Sequence, residues 1–354
     1  MRFSRRPSRS SPPRASRPAD PPRGGLPSPA EGGFTGCPVY TGVCTPTNGW
    51  GIQMWNRRGV LAAGAAASVA ALTGATLPEG SEPERHRGPL QIITGEDGFV
   101  SPATARAGAV TFRVRTTSPR TGTVGVAKLR DGATEAEFRA RMRQVFAAEE
   151  PAAVIQASRE LMATVDQLGG AAPHPGADSD FTLRLRPGSY LVLEYLDFAG
   201  ALGRNPEPGA EYVRLLTVRA PESDSGPPRP CGTLTALESG GGTPRFALRG
   251  RVLSEQPLRY VNAMREHVDE ARFYPIVDDS VTEADIVAFF RGETSIPPFD
   301  FAGALGTPPL SPGREVTLRM PMRSGRYAVV SWVRSLVDAQ PLTAHGQLLI
   351  VAVP

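Results

Sequence analysis

The chain has 354 residues, a length typical of two domains, with a formal net charge of +4 at pH 7 and 40% hydrophobic residues. Seven of its 39 basic and two of its 35 acidic residues lie in residues 1 to 53, so the remainder has 32 basic and 33 acidic residues, a net charge of −1. The basic character belongs to the N-terminal extension, and it gives no support for a nucleic-acid partner or an anionic-membrane partner.

The cysteines exclude further kinds of site. Of the three cysteines, Cys37 and Cys44 precede residue 54, and only Cys231 lies in the rest of the chain. A single cysteine forms no internal disulfide and offers no cluster for zinc or an iron–sulfur centre. Lys128 is the only lysine among the 39 basic residues, which we interpret as codon bias in a GC-rich bacterial genome.

Residues 1 to 53 are rich in Arg, Ser, Pro and Gly, a composition that predicts disorder because it buries too little apolar surface to offset ordering entropy. A leader normally begins near its own methionine. Our hypothesis is therefore that Met54 is the true start and that residues 1 to 53 are not translated.

Residues 54 to 75 have the pattern of a secretory signal peptide. The cationic Arg57 and Arg58 precede an apolar run, residues 60 to 72, and small residues suited to a signal peptidase follow it. Thirteen residues at about 1.5 Å each are too short for a membrane core of roughly 30 Å, so no stable membrane span is expected after cleavage. A buried Ala-rich helix is the alternative. The order Asn-Arg-Arg-Gly-Val-Leu resembles the twin-arginine export motif, which implies a protein that folds before it is secreted.

After a spacer, residues 76 to 89, the chain reads as a first β-rich module at residues 90 to 220. Strands are predicted at residues 90 to 94, 110 to 115, 123 to 129, 181 to 185, 190 to 196 and 212 to 218, with a turn at residues 98 to 102. Thr134 with Glu137 is typical of a capping box, and helical spacing follows to residue 150 and again over residues 152 to 168.

A Pro- and Gly-rich linker, residues 221 to 231, leads to a second module at residues 232 to 354. It predicts strands at residues 245 to 248, 258 to 262, 272 to 277, 316 to 320, 327 to 333 and 347 to 353, and a helix over residues 282 to 290. The order of the first module returns, and so do short segments: residues 134 to 138 match 282 to 286, and residues 181 to 184 before 188 to 192 match 316 to 319 before 325 to 329. The sequence therefore predicts a duplication.

This pattern of strands, a central helical excursion and a closing hairpin resembles the cupredoxin, or plastocyanin-like, β-sandwich. Asn262 followed by His267 is similar to that family's first copper-ligand segment. The resemblance implies a mainly β protein with two tandem cupredoxin-like sandwiches and short helical insertions.

The same resemblance argues against a blue-copper centre. In the family, soft thiolate and thioether ligands join two imidazoles at the copper. Here Ser331 stands at the implied cysteine position of the second module and Glu194 at that of the first, while Gln347 replaces the methionine. No cofactor is therefore expected.

His267 and His345 could still form a weak site for copper or zinc, with Glu266, Asp269, Glu270 or Met264 as further ligands. The simpler interpretation is two loop histidines on an inherited scaffold. Asp278 and Asp279 are likewise more typical of a turn before an N-capped helix than of a calcium loop.

Motifs of catalysis are missing from the sequence: it contains neither G-x-S-x-G, nor H-E-x-x-H, nor a phosphate-binding loop. We therefore expect a secreted, non-catalytic protein that binds a protein or cell-envelope partner. The main alternative is an extracytoplasmic metal-binding protein that uses His267 and His345. A hydrolase with a site between the modules is a third possibility, without support from any motif.

Overall fold

The computed structural model describes residues 88 to 203, 206 to 220, 226 to 240 and 242 to 354. The predicted signal peptide with Arg57 and Arg58, the extension before it and nearly all of the spacer lie outside these residues. Among the described residues, no helix is long and apolar enough to cross a membrane.

The described residues contain seventeen strands and four α-helices. The strands are β1 (Leu90–Gly95), β2 (Gly98–Val100), β3 (Thr104–Arg106), β4 (Gly108–Thr116), β5 (Val124–Leu129), β6 (Val165–Ala171), β7 (Ser179–Leu185), β8 (Gly188–Glu194), β9 (Val213–Arg219), β10 (Gly232–Glu238), β11 (Pro244–Gly250), β12 (Leu258–Asn262), β13 (Asp269–Pro275), β14 (Leu305–Leu310), β15 (Glu315–Arg319), β16 (Gly325–Val330) and β17 (Leu348–Val353). The helices are α1 (Glu135–Ala147), α2 (Pro151–Thr164), α3 (Tyr195–Phe198) and α4 (Glu283–Phe290), with a 3-10 turn at Leu342–His345.

These strands form two sheets. One has eight strands in the order β11-β10-β12-β15-β7-β4-β1-β2, and the other has nine in the order β17-β16-β13-β14-β6-β5-β8-β9-β3. One apolar core, which includes Phe112, Phe181, Tyr260 and Phe273, is shared between residues of both halves of the chain. The expected fold class, mainly β sandwich with a few short helices, is confirmed.

Both sheets run without a break from one half of the chain to the other. In the eight-stranded sheet β7 pairs antiparallel with β15, and Thr182 lies opposite Thr317. In the nine-stranded sheet β6 pairs antiparallel with β14 through Leu168 and Leu310. The two predicted modules therefore share both hydrogen-bonded sheets. A linker between two modules suggested separate domains, each with its own sheets.

The strands of the two halves pair in the same pattern. β1 pairs with β2 antiparallel and with β4 in parallel, as β10 does with β11 and β12. β5 pairs antiparallel with β6 and β8, as β13 does with β14 and β16. In addition, β3 adds one parallel strand beside β9 in the first half.

The helices α1 and α4 begin where the capping signals placed them. Thr134 accepts a hydrogen bond from the Glu137 backbone N–H at the start of α1, and Thr282 with Asp285 forms a complete capping box at the start of α4. Of the two aromatic residues of α4, Phe290 is buried in a cluster with Phe299, and Phe289 is half-buried beside them.

The structure corrects three of the predicted elements. Residues 195 and 196, predicted as the end of a strand, begin α3, and β8 ends at Glu194. Residues 165 to 168, predicted as the end of a helix, begin β6, because their backbone pairs with β5 and the side chain of Asp166 pairs with the distant Arg314. Residues 98 to 100, predicted as part of a turn, form β2 against β1. The partner of Asp166, Arg314, is distant in sequence, and residues 98 to 100 form a strand through their pairing with β1. The local pattern of apolar residues shows neither partner.

Candidate functional site

Asn262 and His267 are the pair that resembles a copper-ligand segment: Asn262 is the last residue of β12, and His267 lies in the connection from β12 to β13. The Asn262 side chain donates to the carbonyl oxygens of His267 and Leu310, both at 2.9 Å, and accepts from the Met264 backbone N–H at 3.0 Å. Asn262 is fully buried, so these three bonds satisfy its amide and fix the loop that carries His267.

One ring nitrogen of His267 has a hydrogen-bond partner, and the other lies beyond hydrogen-bond distance of the nearest carboxylate. Nε2 accepts a hydrogen bond from the Leu336 backbone N–H at 3.2 Å, and Nδ1 lies 3.6 Å from Glu238 Oε1. Burial lowers the pKa of His267, and the nearby Glu238 carboxylate partly offsets this effect. The geometry indicates a neutral imidazole with its proton on Nδ1, because the Nε2 lone pair already accepts from Leu336.

His345 ends the 3-10 turn and has a separate partner: its Nε2 lies 3.1 Å from Asp338 Oδ1. The two histidines contact the same loop, since His267 accepts from the Leu336 backbone N–H and His345 lies at Asp338 two residues further on. Within the described residues, no group of three His, Cys, Asp or Glu side chains could hold a metal ion.

The position implied for a cysteine ligand holds a buried carboxylate in the first half. Glu194, at the end of β8, is fully buried and accepts four hydrogen bonds at 2.7 to 3.1 Å, from the Thr94 hydroxyl and from the backbone N–H groups of Gly122, Thr123 and Leu196. Burial raises the pKa of Glu194 to about 7, although these four donors favour the ionised form.

In the second half the corresponding position is Ser331, also fully buried, and the carboxylate lies on the neighbouring strand instead. Asp269 accepts from the Tyr260 hydroxyl at 2.7 Å and from the Gln347 amide at 2.8 Å, and the Ser331 hydroxyl lies beside it. Burial raises the pKa of Asp269 to about 7, against the effect of these donors. Both halves thus fill this position with a buried polar network.

Glu270, another residue considered as a metal ligand, is buried at the start of β13. Its carboxylate accepts from the Trp332 backbone N–H at 3.0 Å. Burial raises its pKa to about 7, and the positive charge of Arg272 partly opposes that rise. Arg272 donates to the Thr123 hydroxyl of the first half at 3.2 Å and so joins the two halves, whereas the hydrogen bond of Glu270 stays within the second half.

These residues do not fit a type 1 copper ion. The implied thiolate is a serine in one half and a four-times hydrogen-bonded glutamate in the other, and the Gln347 amide donates to Asp269. The coordinating lone pair of His267 is occupied by a backbone N–H. A hard hydroxyl and carboxylate set also lacks the soft sulfur donors that favour copper at such sites.

The helical hairpin of the first half covers the end of the second sandwich, a feature that the sequence did not indicate. Met142 of α1 and Leu161 of α2 line a small, mainly apolar cavity of about 40 Å³ together with His267, Val333 and Leu336. The only signal for this contact was the apolar face of each helix, which does not say what that face covers.

The other candidate residues have structural partners. Asp278 accepts from the Ser280 backbone N–H at 2.7 Å in the turn before α4, and Arg326 pairs with the carbonyl oxygen of Asp279. Cys231, half-buried, is free, with its sulfur 3.4 Å from the Arg251 carbonyl oxygen. These positions shape turns and strand ends and do not gather around a common point.

No family model matches the chain, and no curated protein matches it significantly. Among the solved structures similar to it are two auracyanins and a nitrite reductase. The reduced auracyanin of Roseiflexus castenholzii is 11% identical, with 34% of this chain and 96% of that chain covered and a TM-score of 0.23. Auracyanin A, a "blue" copper protein of Chloroflexus aurantiacus, is 13% identical over 34% of this chain and 98% of that chain, with a TM-score of 0.21.

The Cu-containing nitrite reductase of Thermus scotoductus is 12% identical and covers both halves. The match includes 75% of this chain and 61% of the length of that enzyme, with a TM-score of 0.21. At such scores the superpositions add nothing to the strand pairing described above, and they bear on no residue of the site.

Proposed function

We propose that the protein is an extracytoplasmic, non-catalytic binding protein built from two cupredoxin-like β-sandwiches, and that it acts on a protein or cell-envelope partner without a metal. The observation that carries this proposal is the hydrogen bond from the Leu336 backbone N–H to His267 Nε2, which occupies the lone pair that a metal would need. The signal-peptide pattern of residues 54 to 75 supports export.

The tandem arrangement is part of the same proposal. Matched strands pair in the same order in both halves, and the matched tetrapeptides at residues 181 to 184 and 316 to 319 lie on β7 and β15. These strands pair with each other, and their matched threonines, Thr182 and Thr317, stand opposite one another. Such a contact between equivalent strands is what an internal two-fold relation produces, so it supports a duplicated sandwich.

Metal analysis of the mature protein, purified from the culture supernatant of its native host, tests the proposal. We expect a chain that starts near residue 76, contains no stoichiometric copper or zinc, and shows no saturable uptake of Cu²⁺ or Zn²⁺ at micromolar concentrations. A protein retained in the cytoplasm would contradict the extracytoplasmic assignment.

Saturable metal binding would favour the alternative, a metal-binding protein that uses His267 and His345. A His267→Gln variant and a His174→Gln control separate a specific site from surface binding, because His174 lies in an exposed loop of the first half with its Nδ1 at the Pro175 carbonyl oxygen. Loss of binding only in His267→Gln would establish the alternative and overturn the proposal.

A further inference from the structure

A groove of about 450 Å³ lies on the outer face of the eight-stranded sheet, over the junction where β7 pairs with β15. Side chains alternate between the two faces of a strand, and Phe181 and Leu318 point into the core. Their neighbours Thr182 and Thr317 therefore belong to the outer face. Pro89 borders the groove on one side, and Pro228 and Pro257 contribute to its lining as well.

The floor of the groove is a row of three threonines on adjacent strands. Thr111 is opposite Thr182, their hydroxyl oxygens 2.9 Å apart, and Thr182 is opposite Thr317. Thr182 and Thr317 are only 5% and 8% exposed, although they face outward. Their hydroxyls thus lie at the bottom of a recess, where a hydroxyl can both donate and accept a hydrogen bond.

A second row supplies charge. Arg113 of β4 and Arg319 of β15 are both opposite Asp180 of β7. Arg113 holds both carboxylate oxygens of Asp180, at 2.7 and 2.9 Å, in a bidentate ion pair. Arg319 is exposed at the edge of the groove, so the row carries two guanidinium groups and one carboxylate, an excess of one positive charge.

We propose that this groove binds a small hydroxylated carboxylate, of the size and chemistry of a sugar acid. Arg319 would bind the carboxylate, because a guanidinium presents two parallel N–H donors that match two carboxylate oxygens. The threonine row would bind the ligand hydroxyls, and the volume of about 450 Å³ lies in the range of small-molecule sites. This inference rests on the proposed binding function and names its ligand class.

Isothermal titration calorimetry of D-glucuronate into the full mature protein tests the inference, with neutral D-glucose as the comparison. We expect saturable binding of glucuronate and binding of glucose that is at least about tenfold weaker, because a charge-assisted hydrogen bond is lost. Arg319→Ala should weaken glucuronate binding by about tenfold or more. Thr317→Val, which keeps the shape of the side chain, should weaken it by about threefold or more.

Arg249→Ala is the matched control, because Arg249 is an exposed arginine of β11 on the same sheet, away from the lining of the groove. It should leave the affinity unchanged within about twofold. The inference is overturned if glucuronate does not saturate, if glucose or inorganic phosphate binds as tightly, or if Arg249→Ala weakens binding as much as Arg319→Ala. A metal-free, exported protein that fails this titration loses only the groove assignment, whereas stoichiometric metal would remove the proposed function itself.

Discussion

Burial raises the pKa of the Asp269 carboxyl to about 7, and that of the Glu194 and Glu270 carboxyls to about 7 as well. Such a carboxyl has a higher pKa in the folded than in the unfolded chain. At pH values between these two pKa values, the folded chain therefore binds more protons than the unfolded chain. The contribution of such a carboxyl to stability is therefore complete at low pH and is lost as the pH rises through about 7. This pH dependence is opposite to that of a carboxylate with a lowered pKa, whose contribution to stability is lost as the pH falls.

We expect the free energy of unfolding to decrease between pH 5 and pH 8, and Asp269→Asn to make that decrease smaller. The shift of Asp269 from 3.8 to about 7 corresponds to at most about 4 kcal/mol. Urea unfolding at several pH values measures the effect, with Glu283→Gln at an exposed helix position as the control for loss of one charge. A stability that rises between pH 5 and pH 8 would contradict the expectation.

The Glu194 carboxylate fixes the connection between β4 and β5, because it accepts from the backbone N–H groups of Gly122 and Thr123 there. Glu194→Ala removes the carboxylate partner of three backbone N–H groups, those of the buried Gly122 and Thr123 and of the half-buried Leu196. We expect it to lower the free energy of unfolding by about 3 kcal/mol or more, since each unsatisfied buried donor costs about 1 to 3 kcal/mol. Glu194→Gln, which keeps one acceptor oxygen, should cost clearly less. Chemical denaturation at pH 8 compares the two, and equal losses would show that the hydrogen bonds contribute little.

At the scale of the elements, β14 shows why part of the fold was not predictable. Its sequence, Leu-Gly-Thr-Pro-Pro-Leu, contains two prolines, which lack the N–H that a central strand donates. Side-chain hydroxyls instead accept from the backbone of β6: Thr307 accepts from the Gly170 backbone N–H at 3.2 Å, and Ser311 accepts from that of Gln167 at 2.9 Å. The local pattern identifies none of these partners, because they are more than a hundred residues away.

Elements with local signals were predictable. The capped helices that begin after Thr134 and Thr282, and alternating strands such as β4 and β7, were all found close to their expected bounds. In the site, the sequence indicated Ser331 and Glu194 at the implied cysteine positions, but it could not show that a buried network surrounds each of them. Burial and hydrogen-bond partners depend on the packing of distant segments, which hydrophobic periodicity does not encode.

The close approach of β5 and β6 requires glycine at position 170. A Cβ there would clash with the carbonyl oxygen of Val124 and with the Cα atom of Gly125. We expect Gly170→Ala to destabilise the protein by about 3 kcal/mol or more, because rigid backbone cannot move aside cheaply. Gly98→Ala in β2 is the control, since a Cβ there meets nothing within 4 Å. Thermal unfolding of the two variants measures the difference, and similar melting temperatures would contradict the role of Gly170.

At the scale of the whole molecule, the β7–β15 and β6–β14 pairs make the two halves one hydrogen-bonded structure. We expect a single cooperative unfolding transition. We also expect that residues 76 to 220 and residues 226 to 354, produced together as separate chains, copurify in equal amounts. Each fragment alone should associate or aggregate, because an unpaired strand edge recruits other strands. Size-exclusion chromatography tests this, and a monomeric, cooperatively folding single fragment would contradict it.

The shared sheets also set an order for folding during synthesis. The strands β6 and β7 leave the ribosome well before β14 and β15, whose pairing closes the two edges of the first half. Until residues 305 to 319 have been translated, the first half holds two open strand edges of the kind that chaperones protect and that misassembly exploits. The first sandwich can therefore pair all of its strands only after β14 and β15 of the second have been translated.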